Sequence, residues 1–337
     1  MFEIQNRRYI GSKATLSDWI FENIPNEYKA GTFVDIFAGT GVIAKNALSQ
    51  FNKVVINDFL YSNFIIYTAF FGNGSFSKNK LENFFKLMND SKNIESNYVS
   101  KHYGDKYFSM NTAKKIGFIR EEIDSKKYGL NKREKAIALA SLLYSADKVA
   151  LTVGHYEVFH RQQKESKPFL YQIIKPYKNS NVEIYREDSN DLVKKIKGDV
   201  FYVDPPYNSR QYSRFYHVLE TITKWDKPKL EGVAMKPPTE NSSSYSKTNA
   251  PEVFKDLIEN INGKLIVVSY NNTYRSKSSS SKNKIELDEI ESIMKSVGKT
   301  KIISENYKYF TSGKTNFSDH KEYIFITQLW MKKIMTS

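Results

Sequence analysis

A short apolar run, Thr32-Phe33-Val34-Asp35-Ile36-Phe37, breaks into Ala38-Gly39-Thr40-Gly41 and then opens a helical pattern over residues 42–49. A bounded, β-branched run of that length reads as a buried strand of a parallel sheet. The two glycines let the chain turn sharply from strand to helix, with no Cβ between the backbone and a ligand. This unit commits the chain to a layered α/β architecture. Two further runs follow the same plan: Lys53-Val54-Val55-Ile56 leads into Asn57-Asp58, and Asp199-Val200-Phe201-Tyr202-Val203 leads into Asp204-Pro205-Pro206-Tyr207. Residues 264–269 and 322–328 add two more candidate strands. Strands separated by helical segments form βαβ units and a doubly wound sheet.

Between residues 60 and 177 that rhythm stops. Helical patterns at 80–88, 113–123 and 132–151 fill a stretch too long for a crossover and too periodic for a loop. It reads as an inserted, mainly helical domain (60–177), leaving 1–59 and 178–337 to the sheet domain. Ser-rich segments at 241–246 and 276–281 read as surface loops, the second set among Lys264, Arg275, Lys277, Lys282 and Lys284. The 337 residues carry a net charge of +14, which favours a polyanionic partner, nucleic acid before an acidic membrane. Cysteine is absent, which excludes disulfides, thiolate metal sites and cysteine nucleophiles and suits a reducing cytoplasm. No signal-peptide core follows the N-terminal basic residues, and the greasiest stretch, 64–71, is too short to cross a bilayer, so no membrane partner is expected. His155 and His160 lack a carboxylate pattern, so no metal is expected either.

Gly39-Thr40-Gly41-Val42-Ile43-Ala44 fits G-x-G-x-x-A, and Asp58 ends the next strand where it can accept hydrogen bonds from a ribose diol. That suits a dinucleotide or S-adenosylmethionine equally, and also a plain tight turn with a solvated acid beyond it. Asp204-Pro205-Pro206-Tyr207 is more selective. Consecutive prolines after a buried strand cannot donate ladder bonds and hold the chain extended. An Asp side chain and a proline carbonyl are then fixed together at the sheet's carboxyl end, where they can grip an exocyclic amine, with a Tyr ring for stacking. Acceptors on both N–H bonds of an aryl amine favour pyramidalisation and free its lone pair for attack on a sulfonium methyl. The plain alternative is a turn whose Asp caps a helix.

With Arg8-Tyr9-Ile10-Gly11-Ser12-Lys13, Asp35-Ile36-Phe37-Ala38-Gly39-Thr40-Gly41, Asn57-Asp58, Glu187-Asp188-Ser189, Asp204-Pro205-Pro206-Tyr207 and Lys321-Glu322-Tyr323-Ile324-Phe325 in this order, the chain resembles the Dam-like, α-class DNA adenine (N6) methyltransferases. The resemblance spans nearly the whole chain, but the insert and the Ser-rich loops match nothing residue by residue. It implies a Rossmann-like class I methyltransferase fold, with a mixed, mostly parallel seven-stranded sheet and an inserted helical target-recognition domain. It implies S-adenosylmethionine as cofactor, double-stranded DNA as partner, and site-specific transfer to a flipped-out adenine, as in restriction-modification with a companion endonuclease. Tyr9, Gly11 and Lys13 would line the methionine end. Asp35, Phe37, Gly39, Thr40 and Gly41 would form the floor and turn. Asp58 would hold the ribose, and Asp188, with Ser189, the cofactor's adenine. Asp204, Pro205, Pro206 and Tyr207 would hold the target base. Lys13 also reads as a solvated cation and Asp188 as a turn acid.

A target adenine must leave the stack, at a few kcal/mol. Stacking on an aromatic such as Tyr207 returns about 1–3 kcal/mol, so phosphate contacts must supply the binding. Arg210 and Arg214, interleaved with Tyr212, Phe215 and Tyr216, are candidates, as is Lys277. Arg161 and Gln162 lie in the preferred recognition loop, and Arg120, Lys126, Lys127, Lys132, Arg133 and Gln163 are further candidate base readers. An RNA adenine methyltransferase shares this chemistry. A nicotinamide-dependent oxidoreductase shares the glycine loop but leaves Asp204-Pro205-Pro206-Tyr207 unexplained. A non-catalytic DNA-binding module would have no use for an intact Asp204 and Tyr207.

Overall fold

A computed structural model describes residues 1–9, 11–152, 154–159, 168–177, 181–207, 211–238, 243–272, 284–306 and 321–330. Arg161, Gln162, Arg210 and Lys277 lie outside the described residues. The strands are β1 (Thr32–Asp35), β2 (Lys53–Asn57), β3 (Val182–Tyr185), β4 (Val200–Val203), β5 (Leu265–Asn271), β6 (Gly298–Asn306) and β7 (Lys321–Leu329). They form one sheet of order β3-β2-β1-β4-β5-β7-β6, seven strands as the resemblance implies. The first five run parallel, and β7 lies antiparallel between β5 and β6. The order reverses between β1 and β4, so the turns leaving these two strands open side by side, where an α/β sheet offers a ligand crevice.

The helices are α1 (Ser17–Glu22), α2 (Val42–Ala47), α3 (Tyr61–Phe71), α4 (Lys78–Asp90), α5 (Tyr98–Tyr103), α6 (Met110–Asp124), α7 (Lys132–Val149), α8 (Ser189–Leu192), α9 (Tyr212–Phe215), α10 (His217–Lys224), α11 (Ala250–Asn260) and α12 (Leu287–Val297). Residues 60–177 are helical wherever regular structure occurs among those described. They share one continuous apolar core with a face of the sheet, from Phe33, Val54 and Tyr202 through Ile66 and Phe70 of α3 to Ile137 and Leu142 of α7. The opposite face is covered by α11 and α12, through Phe254, Leu257, Ile290 and Met294. A capping box of Asn131 and Glu134 starts α7.

Two strands escaped the sequence reading. β3 is four residues long. β6, Gly-Lys-Thr-Lys-Ile-Ile-Ser-Glu-Asn, is an edge strand whose Lys299, Lys301 and Glu305 interrupt the apolar pattern. Charges of this kind blunt an edge against further pairing. Arg120 and Arg133 are buried and so cannot read bases. Arg120 donates from Nε to Ile222 O at 2.7 Å and from Nη1 to Asp124 at 2.5 Å, tying α6 to α10. Among the described residues, no helix is long and apolar enough to cross a membrane, and no His/Cys/Asp/Glu cluster could hold a metal.

Candidate active site

The turns after β1 and β4 open on a cavity of about 660 Å³, within the roughly 300–1,000 Å³ of small-molecule sites. Gly39 (φ +52°) and Gly41 (φ +77°) are both left-handed, as a strand-to-helix turn this tight requires. The Gly39 N–H donates to Asp58 Oδ2 at 2.9 Å and the Leu60 N–H to Oδ1 at 2.8 Å. Asp58 is thereby aimed across the turn into the cavity. Burial pushes its pKa up to about 6, against those two backbone donors. Gly41 does not line the cavity; a Cβ there would meet Ile4 and Tyr67.

Asp35, at the end of β1, is buried in the cavity floor, and neither carboxylate oxygen has a hydrogen-bond partner of ordinary geometry. Burial, then the charges of Asp204 and Asp58, push its pKa well above the usual aspartate value. A buried carboxylate without a counter-charge fits a ligand that brings positive charge. Tyr9, Gly11, Phe37 and Thr40 line the same cavity. Asp188 and Ser189 line it too, with structural bonds of their own. Asp188 accepts from the Asn190 N–H at 2.9 Å as N-cap of α8, and Ser189 Oγ donates to Ile36 O at 3.2 Å.

Asp204 stands at the opposite wall. Lys13 Nζ lies 2.8 Å from its Oδ2 and 3.3 Å from Glu322 Oε1 on β7. Lys13 is not the solvated cation of the plain reading; it is buried. Burial works against its ammonium, but Asp204 and Glu322 prevail and raise its pKa well above the usual lysine value. For Asp204 burial wins over Lys13, and its pKa rises to about 6. Among the described residues nothing pairs with Asp204 Oδ1.

Pro206 lines the cavity, while Pro205 is buried behind it. Tyr207 departs from the expected open stacking platform. Its ring packs edge-on against Tyr270 (4.9 Å, 80°) and its hydroxyl donates to Ser269 O at 2.7 Å, because a buried phenol needs an acceptor. The rings that do line the cavity include Tyr9, which stacks on Tyr212 at 5.5 Å, and Phe59, exposed beside Asp58. Sequence reading missed Glu322, Phe59 and the staple made by Asn57, which donates to Ile36 O and Glu187 O at 3.1 Å each. Glu322 stood out in the sequence only as part of the 321–325 segment, and the signal for its role was an acid on the inward parity of β7, in step with Ile324 and Ile326.

Arg214 is exposed on α9 and borders a second cavity of about 160 Å³, which adjoins the first through Phe59, Leu60 and Ser213. Arg186, Lys224 and Lys236 line this second cavity, along with Glu220 and Asp226.

The chain is similar to the type II methyltransferase M.NlaIII of Neisseria lactamica (29% identity over 344 residues, 95% of this chain and 98% of that protein). It is similar to M.CviAII of Paramecium bursaria Chlorella virus 1 (30% over 334 residues, 95% and 98%). It is also similar to M.FokI of Planomicrobium okeanokoites (33% over 352 residues), where it spans 52% of the longer protein. The family model for D12 class N6 adenine-specific DNA methyltransferases matches residues 9–310, a span that includes both cavity walls. The chain therefore belongs to the D12 class of N6 adenine-specific DNA methyltransferases.

Proposed function

We propose that the cavity binds S-adenosylmethionine and the target adenine side by side, and that the chain modifies one specific duplex sequence as the methyltransferase of a type II restriction-modification pair. The observation that carries this reading is the buried Lys13–Asp204 pair facing the glycine turn across one cavity. S-adenosylmethionine supplies a methyl group made electrophilic by its sulfonium. Asp58 would accept from its ribose hydroxyls and Asp35 would face its positive charge. Tyr9, Gly11, Phe37, Gly39, Thr40, Asp188 and Ser189 would shape the remainder of the pocket, with Phe59 flanking the diol acid. Asp204 Oδ1 and a proline carbonyl would accept from the two N–H bonds of the adenine amine. Lys13 keeps Asp204 ionised as an acceptor, and Tyr207 locks the motif to β5.

The extruded base is to be reached across the rim bordered by Arg214 and Arg186, whose guanidinium groups suit flanking phosphates, while Lys224 and Lys236 beside them are paired with Glu220 and Glu157. Residues 60–177 would serve as the target-recognition domain. A companion endonuclease with the same recognition sequence is part of this reading. Transfer of labelled methyl to duplex DNA, with RNA for comparison, tests it. Wild type should label DNA and leave RNA unlabelled, while Asp204→Ala abolishes turnover and keeps cofactor affinity within a few-fold by calorimetry. A large loss of cofactor binding in Asp204→Ala would assign Asp204 to the cofactor instead, and labelling of RNA alone would redirect the substrate.

A further inference from the structure

The buried acid on the last strand, Glu322, has no place in the reading above. It is 2% exposed, and its Oε1 accepts from Ser269 Oγ at 2.7 Å while lying 3.3 Å from Lys13 Nζ. Lys13 thus serves two carboxylates, Asp204 and Glu322, and the three side chains together carry one net negative charge when ionised. A buried ion pair needs only one acid, so the second requires an explanation.

The reaction supplies one. Methylation of an amine nitrogen leaves it with one proton too many. The nitrogen's lone pair forms the new N–C bond and the electrons of the old C–S bond stay with sulfur. The surplus N–H proton passes to an acceptor, and Asp204 lines the cavity with its Oδ1 unpaired among the described residues. Were Lys13 paired with Asp204 alone, protonating Asp204 would strand a buried ammonium without a counter-charge. With Glu322 already in contact, Lys13 keeps a counter-charge.

We propose that Glu322 is a positioning residue that shares the Lys13 ammonium with Asp204, so that Asp204 can take up the amine proton and release it to water without leaving Lys13 unpaired. This rests on the reading of Asp204 as the group that holds the adenine amine. The surroundings of the triad are consistent with it. Among the described residues, Tyr202 on β4, Asp35 on β1 and Tyr207 are the other titratable groups facing it. Glu305 of β6 and Asn271 of β5 are the strand-register partners of Glu322. None of these is a cation that could replace Lys13 or relieve it.

Carbon-13 NMR of carboxyl-labelled aspartate in the cofactor-free enzyme, with Asp204 assigned from Asp204→Asn, reads the triad directly. Glu322→Gln removes the competitor for Lys13 and should lower the Asp204 midpoint by about one pH unit. The acid limb of single-turnover kcat should move down with it, kcat should fall severalfold, and KM for DNA and cofactor should stay within twofold. Glu322→Asp, which keeps the charge but withdraws it from Lys13, should give an intermediate shift and serves if the Gln variant folds poorly. An unmoved Asp204 midpoint in both variants overturns the proposal, as does a loss of turnover at every pH without a shifted limb. Full activity of Asp204→Ala would instead overturn the underlying reading of Asp204, so the two failures remain distinguishable.

Discussion

At Gly41 the backbone sits at φ +77°, and a methyl group there would lie 2.9 Å from Ile4 Cδ1 and 3.0 Å from Tyr67. Glycine is demanded twice, by backbone conformation and by packing, which is why the turn was legible from sequence as a chemical necessity. Asp58 was legible for a similar reason: its place at a strand end follows from the short apolar run before it. Its pKa was not legible, because its burial and the Gly39 donor arise only where separate segments meet in the folded chain, and the Leu60 donor two residues on does not offset that burial. The sign of its effect is definite. An ionised Asp58 accepts from a diol, whereas a protonated one gives up part of that capacity. Cofactor affinity should therefore be full above pH 6 and fall as pH drops through about 6, where Asp58 gains its proton. Calorimetric titration between pH 5 and pH 8 checks this, and Asp58→Asn should remove that limb; a wild-type profile flat across the range would contradict the assignment.

Among the elements, α7 shows what periodicity reveals and what it hides. Its helical pattern over 132–151 was legible in the sequence, while the Asn131–Glu134 capping box that starts it came from the fold. That it also anchors the N-terminal motif was invisible. Asp147 on α7 accepts from the Arg8 backbone N–H at 2.8 Å and from the Tyr156 hydroxyl at 3.0 Å, joining the N-terminal motif to the end of α7 and the loop after it. Asp147→Ala leaves two donors unpaired at about 1–3 kcal/mol each. Urea unfolding should show a loss on the order of 2–4 kcal/mol, with a smaller loss near 1 kcal/mol for Tyr156→Phe. A stability change within about 0.5 kcal/mol of wild type in Asp147→Ala would mean that the anchor contributes nothing measurable. β6 shows the reverse case. Its Lys and Glu residues hide a strand from pattern reading, yet nine consecutive pairs with β7 place it firmly in the sheet. Pairing partners, not the strand's own residues, make it a strand.

Across the whole molecule the net charge of +14 is the term that long-range physics sees. If binding to duplex DNA rests on phosphate contacts, affinity should fall by about 10³-fold between 50 and 200 mM salt for some six contacts. Arg214→Gln should weaken binding to all sequences alike and flatten the logarithmic salt slope by about one. Binding that is insensitive to salt would remove the electrostatic account of base extrusion.

The sequence by itself determined the α/β class, the glycine turn, the strand-end Asp58 and the Asp-Pro-Pro-Tyr motif, because each is a local demand of backbone conformation or of the chemistry of neighbouring residues. Only the tertiary structure decided that Lys13 is a buried partner of Asp204, that Glu322 joins it from the last strand, that Tyr207 turns its hydroxyl inward to Ser269, that Arg120 braces α6 against α10, and that Arg133 is buried. These outcomes depend on which charges and donors meet once water is excluded. Lys13 and Glu322, 309 positions apart, satisfy one another there, and no local pattern records that requirement.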